Sequence, residues 1–269
     1  MEAVVAFLLP LGAVIAAWWI GTAAIMRLDR LPRRSLPLSL AVAGVLALAG
    51  VVLVAFSSDM VTEQGAYAGF AGTLLIWAWV ETAFLTGAVV GPRRLPCPPA
   101  RGVARFSFAL QAILYHEIAL LAAGALVAAA SWGGTNLTAL WCFAVLWTMR
   151  ASAKLNLHFG VPNLGDELLP DHLRYLGSYF SRGPVSPLFP ATVGFAVLVA
   201  MPLWMSAYTH GASGFAGTQA AILATLLTLA IAEHLFMVLP IPQSLLWGSG
   251  GAMRTRGADV ERTGKGTPS

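Results

Sequence analysis

The chain alternates between long apolar runs and short breaks that are charged or rich in Gly and Pro. Seven such runs can be read, at residues 3–26, 36–56, 66–90, 107–130, 136–157, 191–208 and 218–239. A helix needs about 17–25 apolar residues to cross a hydrocarbon core of about 30 Å, and each run has roughly that length. Strands of a membrane barrel would instead show short segments of alternating character. The pattern therefore predicts an all-α integral membrane protein, built as a seven-transmembrane-helix bundle.

Composition supports the same class. The 269 residues are 58% hydrophobic and only 10% charged, whereas soluble domains carry about 25% charged residues. We expect one transmembrane helical bundle domain over residues 1–248. Residues 249–269 combine Gly, Ser, Thr and charge without apolar periodicity, which predicts a disordered cytoplasmic tail.

The positions of the basic residues predict the orientation. All 16 fall into four groups that follow the first, third, fifth and seventh runs. They are Arg27, Arg30, Arg33 and Arg34; Arg93, Arg94, Arg101 and Arg105; Arg150, Lys154, Arg174 and Arg182; and Arg254, Arg256, Arg262 and Lys265. The opposite loops, 57–65, 131–135 and 209–219, contain no Lys or Arg. The positive-inside rule then places the N-terminus outside and the C-terminus in the cytoplasm. Basic loops facing anionic lipid also explain the pI of about 9.4 without a nucleic-acid partner.

The connection between the fifth and sixth runs, at about 160–190, is long and chemically varied. Pro170 can open a helix there, after which apolar residues recur at helical spacing: Leu169, Leu173, Leu176 and Phe180. We expect an interfacial cytoplasmic segment with its apolar side toward lipid and with Asp171, His172 and Arg174 in water. Such a segment is either a docking surface for another membrane component or a simple anchor.

Ionisable side chains inside the runs are few, and they lie at similar depths. A charge at the bilayer centre is disfavoured by about 2.5–3.5 kcal/mol, so each one needs a partner or a function. At about 1.5 Å per residue, these side chains lie roughly 8–15 Å below the cytoplasmic boundary. They are Glu81, His116, Glu117, Arg150, Glu233 and His234. We therefore expect four helices to place them in one polar layer.

Several interpretations of this layer remain open. In a structural network, Arg150 and the histidines would pair with the three glutamates. A metal site would use imidazole and carboxylate, which suit Zn, Fe or Mn, although the spacing does not match the Glu-x-x-His motif of di-iron bundles. Alternatively, His116 or His234 ligates a tetrapyrrole, and proton relay or transport is the remaining possibility. A retinal protein is disfavoured because the last run contains no lysine for a Schiff base.

The end of the fifth run places three basic groups on one helix face. Arg150, Lys154 and His158 are successive i,i+4 neighbours. Lys154 and His158 either extend to lipid phosphate or line a pocket for an anionic group such as a tetrapyrrole propionate.

Specific motifs in the middle of the chain resemble a known family. They are LWTMRASAKLNLHFGVPNL at 146–164, ELLPDHLRYLGSYF at 167–180, PLFP at 187–190, ETAFLTG at 81–87, GPRR at 91–94 and QAILYHE at 111–117. Together they resemble the PuhE family, photosynthetic complex assembly proteins of purple phototrophic bacteria. The similar segments run from about residue 75 to 190, and the other spans agree only in hydropathy.

The resemblance implies a multi-pass protein of the bacterial cytoplasmic (inner) membrane or its intracytoplasmic extension. It implies a role in reaction-centre and light-harvesting complex assembly, or in modulating bacteriochlorophyll supply. Reaction-centre or light-harvesting subunits, or other assembly factors, are then the expected partners, and a bacteriochlorophyll-type tetrapyrrole is the expected cofactor if there is one. The resemblance carries over no catalytic residues. The leading hypothesis is a non-enzymatic factor, and the competing one is an integral-membrane, metal-dependent enzyme of pigment or lipid metabolism that uses the polar layer.

Overall fold

The computed structural model of the protein describes residues 2–29, 32–166, 169–211 and 214–239. Seven long α-helices account for most of them: α1 (Glu2–Asp29), α2 (Leu36–Ser57), α3 (Glu63–Leu85), α4 (Gly102–Ala130), α5 (Thr138–Phe159), α6 (Leu188–Thr209) and α7 (Gly214–Phe236). Short 3₁₀-helices lie at Arg33–Ser35 and Asp171–Tyr179. The described residues contain no strand, so the all-α prediction is confirmed. The predicted tail at 249–269 lies outside the described residues.

Six helices are long and apolar enough to cross a membrane: α1, α2, α3, α4, α6 and α7. They make the chain a multi-pass membrane protein. Helix α5 has 22 residues, as many as α2, but Arg150, Lys154 and Asn156 lower the hydropathy of its second half. A seventh crossing therefore stays a prediction.

Two helix ends differ from the hydropathy pattern. The hydropathy pattern predicts that the third run extends to residue 90, yet α3 ends at Leu85. The helix stops there because Gly87 takes a positive φ of 79°, which turns the chain. Helix α4 begins at Gly102, five residues before the predicted start at residue 107. Hydropathy alone does not locate these two ends, because the loop residues 86–90 are mostly apolar and the helical residues 102–106 include a charged arginine.

Helices α3 and α7 form the centre of the bundle. In each of them, 56% of the apolar stretch that is long enough to cross a membrane is buried, whereas the value is 11% for α1 and for α2. Helix α3 contacts α1, α2, α4, α5 and α7. Its approach to α2 is close at Gly50 and Gly72, where a Cβ on Gly72 would lie 2.8 Å from the Gly50 carbonyl oxygen. Small residues at a helix crossing permit this contact between backbones.

At one end of the bundle, Asn136 joins two loops. Its side-chain amide donates to the Ser57 carbonyl at 2.9 Å, and its backbone N–H donates to the Ser58 carbonyl at 2.7 Å. Its Oδ1 accepts from the Thr138 backbone N–H at 3.0 Å. Asn136 is 2% exposed, so these bonds satisfy buried carbonyls and start α5 at the same time.

At the other end, residues 160–166 and 169–187 form a folded segment between α5 and α6, which we call the cap. Val161 and Arg182 make a parallel backbone bridge within it. Hydrogen bonds from Arg105 of α4 hold the cap in place. The Arg105 guanidinium donates to the carbonyls of His158, Tyr179 and Phe180 and to the Ser181 hydroxyl, at 2.7–3.3 Å. One side chain therefore connects the start of α4, the end of α5 and the cap.

The apolar side of the cap packs against protein. The predicted helix after Pro170 is present as the 3₁₀-helix Asp171–Tyr179, but the expectation that its apolar side faces lipid is wrong. Leu173 and Leu176 are 1% and 4% exposed and pack with Phe84 and Val90. The loop after α3 folds back under the cap and supplies this protein surface, so lipid is not needed to cover the leucines.

Candidate functional site

Helices α3 and α5 contribute the first ion pair of the polar layer. The Arg150 guanidinium Nη2 lies 3.1 Å from Glu81 Oε2. The Glu81 side chain is 8% exposed and that of Arg150 is 42% exposed. Removing Arg150 would therefore leave a largely desolvated carboxylate, which is costly.

A second ion pair joins α4 and α5. Lys154 Nζ lies 2.5 Å from Glu117 Oε1, and both side chains are 22% exposed. Since Arg150 and Lys154 are i,i+4 neighbours on α5, one face of α5 presents two cations to carboxylates on two different helices. Lys154, expected to contact an anionic group at the boundary, is thus placed by the structure in the layer itself.

Glu233 extends the layer to α1. Trp18 Nε1 donates to Glu233 Oε1 at 2.6 Å, and Arg150 lies within electrostatic reach of this carboxylate. Glu233 is exposed at the bundle surface, unlike Glu81. The sequence indicates how deep Glu233 lies along α7, but it does not indicate which side of α7 the side chain faces.

His234 is held by two polar contacts. Its Nδ1 lies 2.8 Å from the Ala230 carbonyl and its Nε2 lies 3.0 Å from Ser152 Oγ. A carbonyl only accepts, so Nδ1 carries a proton, and in the neutral ring Nε2 accepts from the Ser152 hydroxyl. Both ring nitrogens are therefore occupied, and His234 links α7 to α5.

His116 differs from every other member of the layer. Its ring is 1% exposed, and neither Nδ1 nor Nε2 has a hydrogen-bond partner in the described part of the chain. Phe84 packs against it with the ring centroids 4.4 Å apart. In the interpretation of the layer as a structural network, the histidines would pair with the glutamates, but among the described residues neither His116 nor His234 does so. An unpartnered buried imidazole costs free energy, and it leaves a nitrogen lone pair for a ligand.

The backbone around His116 is also unusual. Its N–H donates to the Val90 carbonyl in the loop after α3, at 3.0 Å. A Cβ on Gly91 would lie 2.3 Å from the Gln111 carbonyl oxygen and 2.5 Å from that of Ala112. The loop therefore rests directly on the backbone of α4 one turn before His116.

The remaining candidates lie near the cap. His158 stacks edge-on against Phe106, at 5.5 Å between centroids, and does not join the ion pairs of Arg150 and Lys154. His172 Nε2 lies 2.9 Å from the Leu85 carbonyl at the end of α3. Arg174 is exposed and pairs with Asp171 at 2.9 Å. Burial raises the pKa of Tyr175 in the same 3₁₀-helix.

The chemistry of the layer follows from these contacts. Within the described ranges, no three His, Cys, Asp or Glu side chains are grouped so that they could hold a metal ion. The carboxylates instead hold helices together. A tetrapyrrole is a different case, because a single imidazole nitrogen from the protein could hold its metal, and the His116 imidazole has no hydrogen-bond partner in the described residues.

Sequence reasoning missed Trp18, Ser152 and Arg105. Trp18 and Ser152 carry no formal charge, so a search for ionisable groups inside the spans does not find them. Arg105 was counted only as a marker of orientation. Its position at the start of α4, close in space to the residues that follow α5, becomes visible only in three dimensions.

Comparison with known proteins places the chain in a family. A family described as a protein of unknown function, DUF3623, matches residues 4–257. A protein of Rhodobacter capsulatus, named "Uncharacterized 30.4 kDa protein in puhA 5'region", is 37% identical over 238 residues, which cover 87% of this chain and 86% of that protein. No solved structure matches the chain. The extent of these two similarities shows that the chain belongs to the DUF3623 family.

Proposed function

We propose that this protein is a membrane factor for the bacterial photosynthetic apparatus, acting in reaction-centre or light-harvesting complex assembly or in bacteriochlorophyll supply. Two similarities support that context. The relative from Rhodobacter capsulatus takes its name from the region 5' of puhA, and the motifs between about 75 and 190 resemble the PuhE family. The membrane would be the bacterial cytoplasmic membrane or its intracytoplasmic extension.

The proposed topology has seven spans, with the N-terminus outside. Helix α5 packs against α3, α4, α6 and α7, and its two cations are each matched by a carboxylate on a neighbouring helix. Pairing of this kind lowers the cost of carrying Arg150 and Lys154 across the bilayer. The polar layer and the cap would then both lie in the cytoplasmic half.

The observation that carries the pigment-handling part of the proposal is the state of His116. The charged members of the layer are paired or hydrogen-bonded, and His234 has contacts on both nitrogens. His116 has none in the described residues. Such an imidazole would hold a metallated tetrapyrrole through its free ring nitrogen. In this role His116 would supply the ligand nitrogen, Phe84 would pack beside it, and the surrounding helices would exclude water.

The competing interpretation, a metal-dependent enzyme of pigment or lipid metabolism, has no comparable support. Its carboxylates would have to be available as ligands, whereas Glu81 and Glu117 are engaged with Arg150 and Lys154. We therefore propose a non-enzymatic role, in which the cap offers a docking surface to reaction-centre or light-harvesting subunits or to other assembly factors.

The test is to purify the full-length protein from a purple phototrophic host in mild detergent and to record its absorption spectrum. We expect a tetrapyrrole band in the wild type that is lost in His116→Leu. His234→Gln is the matched control, because it changes a buried histidine of the same layer whose nitrogens already have partners, and it should retain the band.

A second measurement separates the assembly role from pigment binding. Membranes of a strain that lacks the protein should show reduced absorption by reaction-centre and light-harvesting complexes. If those complexes are unchanged in amount and spectrum, the assembly role is wrong. If the complexes fall but the purified wild type carries no tetrapyrrole, assembly stands and the role given to His116 is wrong.

A further inference from the structure

The segment between α3 and the middle of α4 is strongly basic. From residue 82 to residue 116 there is no Asp or Glu, whereas there are four arginines: Arg93, Arg94, Arg101 and Arg105. The ion pairs found among the described residues involve none of the four. Arg105 is used by cap carbonyls. Within the part of the chain that the structure describes, the positive charge of this region is thus not balanced by carboxylates in ion pairs.

Two of these arginines line a surface pocket. Its wall consists of Pro92, Arg93, Arg94, Leu95 and Gln111. The pocket lies where the loop after α3 rests on α4, because the Gly91 backbone touches that of Gln111. It is separate from the polar layer, whose residues do not line it.

The pocket wall is held in place by several contacts. Arg93 Nε donates to the Tyr179 hydroxyl at 2.9 Å, and the Arg93 guanidinium lies over the Phe108 ring at 4.8 Å. The Tyr179 hydroxyl in turn donates to the Leu95 carbonyl at 2.8 Å. These contacts fix the direction of the Arg93 side chain without neutralising its charge. A preorganised cation loses little further side-chain entropy when an anion binds.

An exposed apolar stripe of α4 begins beside the pocket. Val103, Leu110, Ile118 and Leu121 are 42–85% exposed, and their spacing places them on one side of the helix. In a membrane protein such a stripe faces lipid chains. Gln111, which lines the pocket, follows Leu110 directly in sequence, so the basic pocket opens at the edge of the lipid-facing side.

From this juxtaposition we propose that the pocket binds an anionic phospholipid, with its headgroup phosphate on Arg93 and Arg94 and one acyl chain along the α4 stripe. Guanidinium groups suit phosphate because they donate paired hydrogen bonds in a planar geometry. The Gln111 side-chain amide supplies a further donor. The site is independent of the proposed function and requires neither His116 nor a photosynthetic partner.

The experiment is native mass spectrometry of the full chain in a neutral detergent, with phosphatidylglycerol or phosphatidylcholine added at equal concentrations. We expect the wild type to retain phosphatidylglycerol at least about tenfold more strongly, since each arginine at an anionic headgroup contributes appreciably. Arg93→Gln/Arg94→Gln should lose that preference. The matched control, Arg174→Gln/Arg182→Gln, removes two exposed arginines that already have carboxylate partners and should keep it.

Two results with the wild type would overturn the proposal. One is equal retention of both lipids by the wild type. The other is displacement of phosphatidylglycerol by the same concentration of inorganic phosphate, which would indicate a free-phosphate site. Arg94→Gln alone guards against misfolding, because Arg94 is exposed and its loss leaves the Arg93 contacts intact. This single substitution should weaken the preference for phosphatidylglycerol by several-fold. An unchanged preference in both the single and the double variant would also contradict the site.

Discussion

Arg150 and Glu81 meet at 3.1 Å across the interface of α5 and α3, and the carboxylate is much less exposed than the guanidinium. One Glu81 oxygen, Oε1, is buried without a partner in the described residues. Glu81 therefore depends on Arg150 for its only side-chain ion pair within the described residues, and the loss of Arg150 leaves a buried charge poorly compensated.

Removing Arg150 alone should destabilise the bundle more than removing both partners. We expect Arg150→Met to lower the free energy of unfolding by about 2 kcal/mol, because it leaves Glu81 uncompensated. Glu81→Leu/Arg150→Met should be closer to wild type, with a coupling energy of about 1 kcal/mol, the magnitude of polar contacts between membrane helices. Unfolding can be followed in a Cys97→Ser background by maleimide labelling of Cys142, which is fully buried. Additive effects of the two single substitutions would contradict the coupling.

Gly91→Ala should displace the loop that rests on α4. Its Cβ would approach the Gln111 and Ala112 carbonyl oxygens to within 2.5 Å, and backbone atoms cannot move aside without shifting a helix. We expect a loss of about 1–3 kcal/mol, as for other overpacked sites, measured by the same Cys142 labelling. Gly183→Ala is the control, because nothing lies within 4 Å of a Cβ at that position. Equal stability of the two variants would show that the contact is not tight.

Asn136→Ala should loosen the end of the bundle opposite the cap. The substitution leaves the Thr138 N–H without its partner and removes one of the two donors to the buried Ser57 carbonyl, which still accepts from the Met60 N–H. Each unsatisfied buried group costs about 1–3 kcal/mol. Thermal unfolding in detergent should show a lowered Tm, whereas Thr135→Ala at the exposed neighbouring position should leave Tm unchanged. A wild-type Tm for Asn136→Ala would mean that water replaces the amide.

Arg105→Gln should release the cap while the bundle stays folded. The shorter, uncharged side chain cannot reach the four acceptors in His158, Tyr179, Phe180 and Ser181 together. We expect protease cleavage between residues 160 and 187 to become several-fold faster. Protection of Cys142 from maleimide should persist, because the thiol lies in the cluster of α1, α3, α5 and α7. Unaltered cleavage would mean that Leu173 and Leu176 hold the cap by themselves.

The seven-span topology can be tested on either side of α5. In a Cys97→Ser/Cys142→Ser background, a membrane-impermeant maleimide added to spheroplasts should label Thr135→Cys and not Val185→Cys. If α5 crosses the bilayer, these exposed positions lie on opposite sides. Labelling of both, with full labelling after lysis as reference, would show that α5 does not span.

The positions of the helices could be predicted because apolar length is a one-dimensional property. The depth of each ionisable residue could also be counted along its helix. In agreement with that count, the structure brings Glu81, Glu117 and Arg150 together. The partners could not be predicted, because the choice of Lys154 for Glu117 and of Trp18 for Glu233 depends on helix rotation. Helix rotation is set by packing at sites such as Gly50 and Gly72. A hydropathy pattern does not indicate how closely these two backbones approach each other.

The cap shows a second reason why the sequence predicted the elements but not the contacts between them. Its apolar spacing could be read from the sequence, but that spacing is the same whether lipid or protein covers Leu173 and Leu176. Coverage by Phe84 and Val90 requires the loop after α3 to turn back at Gly87. A local pattern therefore predicted the segment, and a long-range contact decided what it packs against.

The position of Arg105 imposes an order on the maturation of the protein. The groups that its guanidinium binds are 53 to 76 residues further along the chain. Until that part of the chain has been synthesised, the Arg105 guanidinium has none of these acceptors to bind. The helices that precede the cap can therefore form before the region around Arg105 reaches its final arrangement. The bundle is closed at this end only when the chain past Ser181 has emerged and supplies these acceptors.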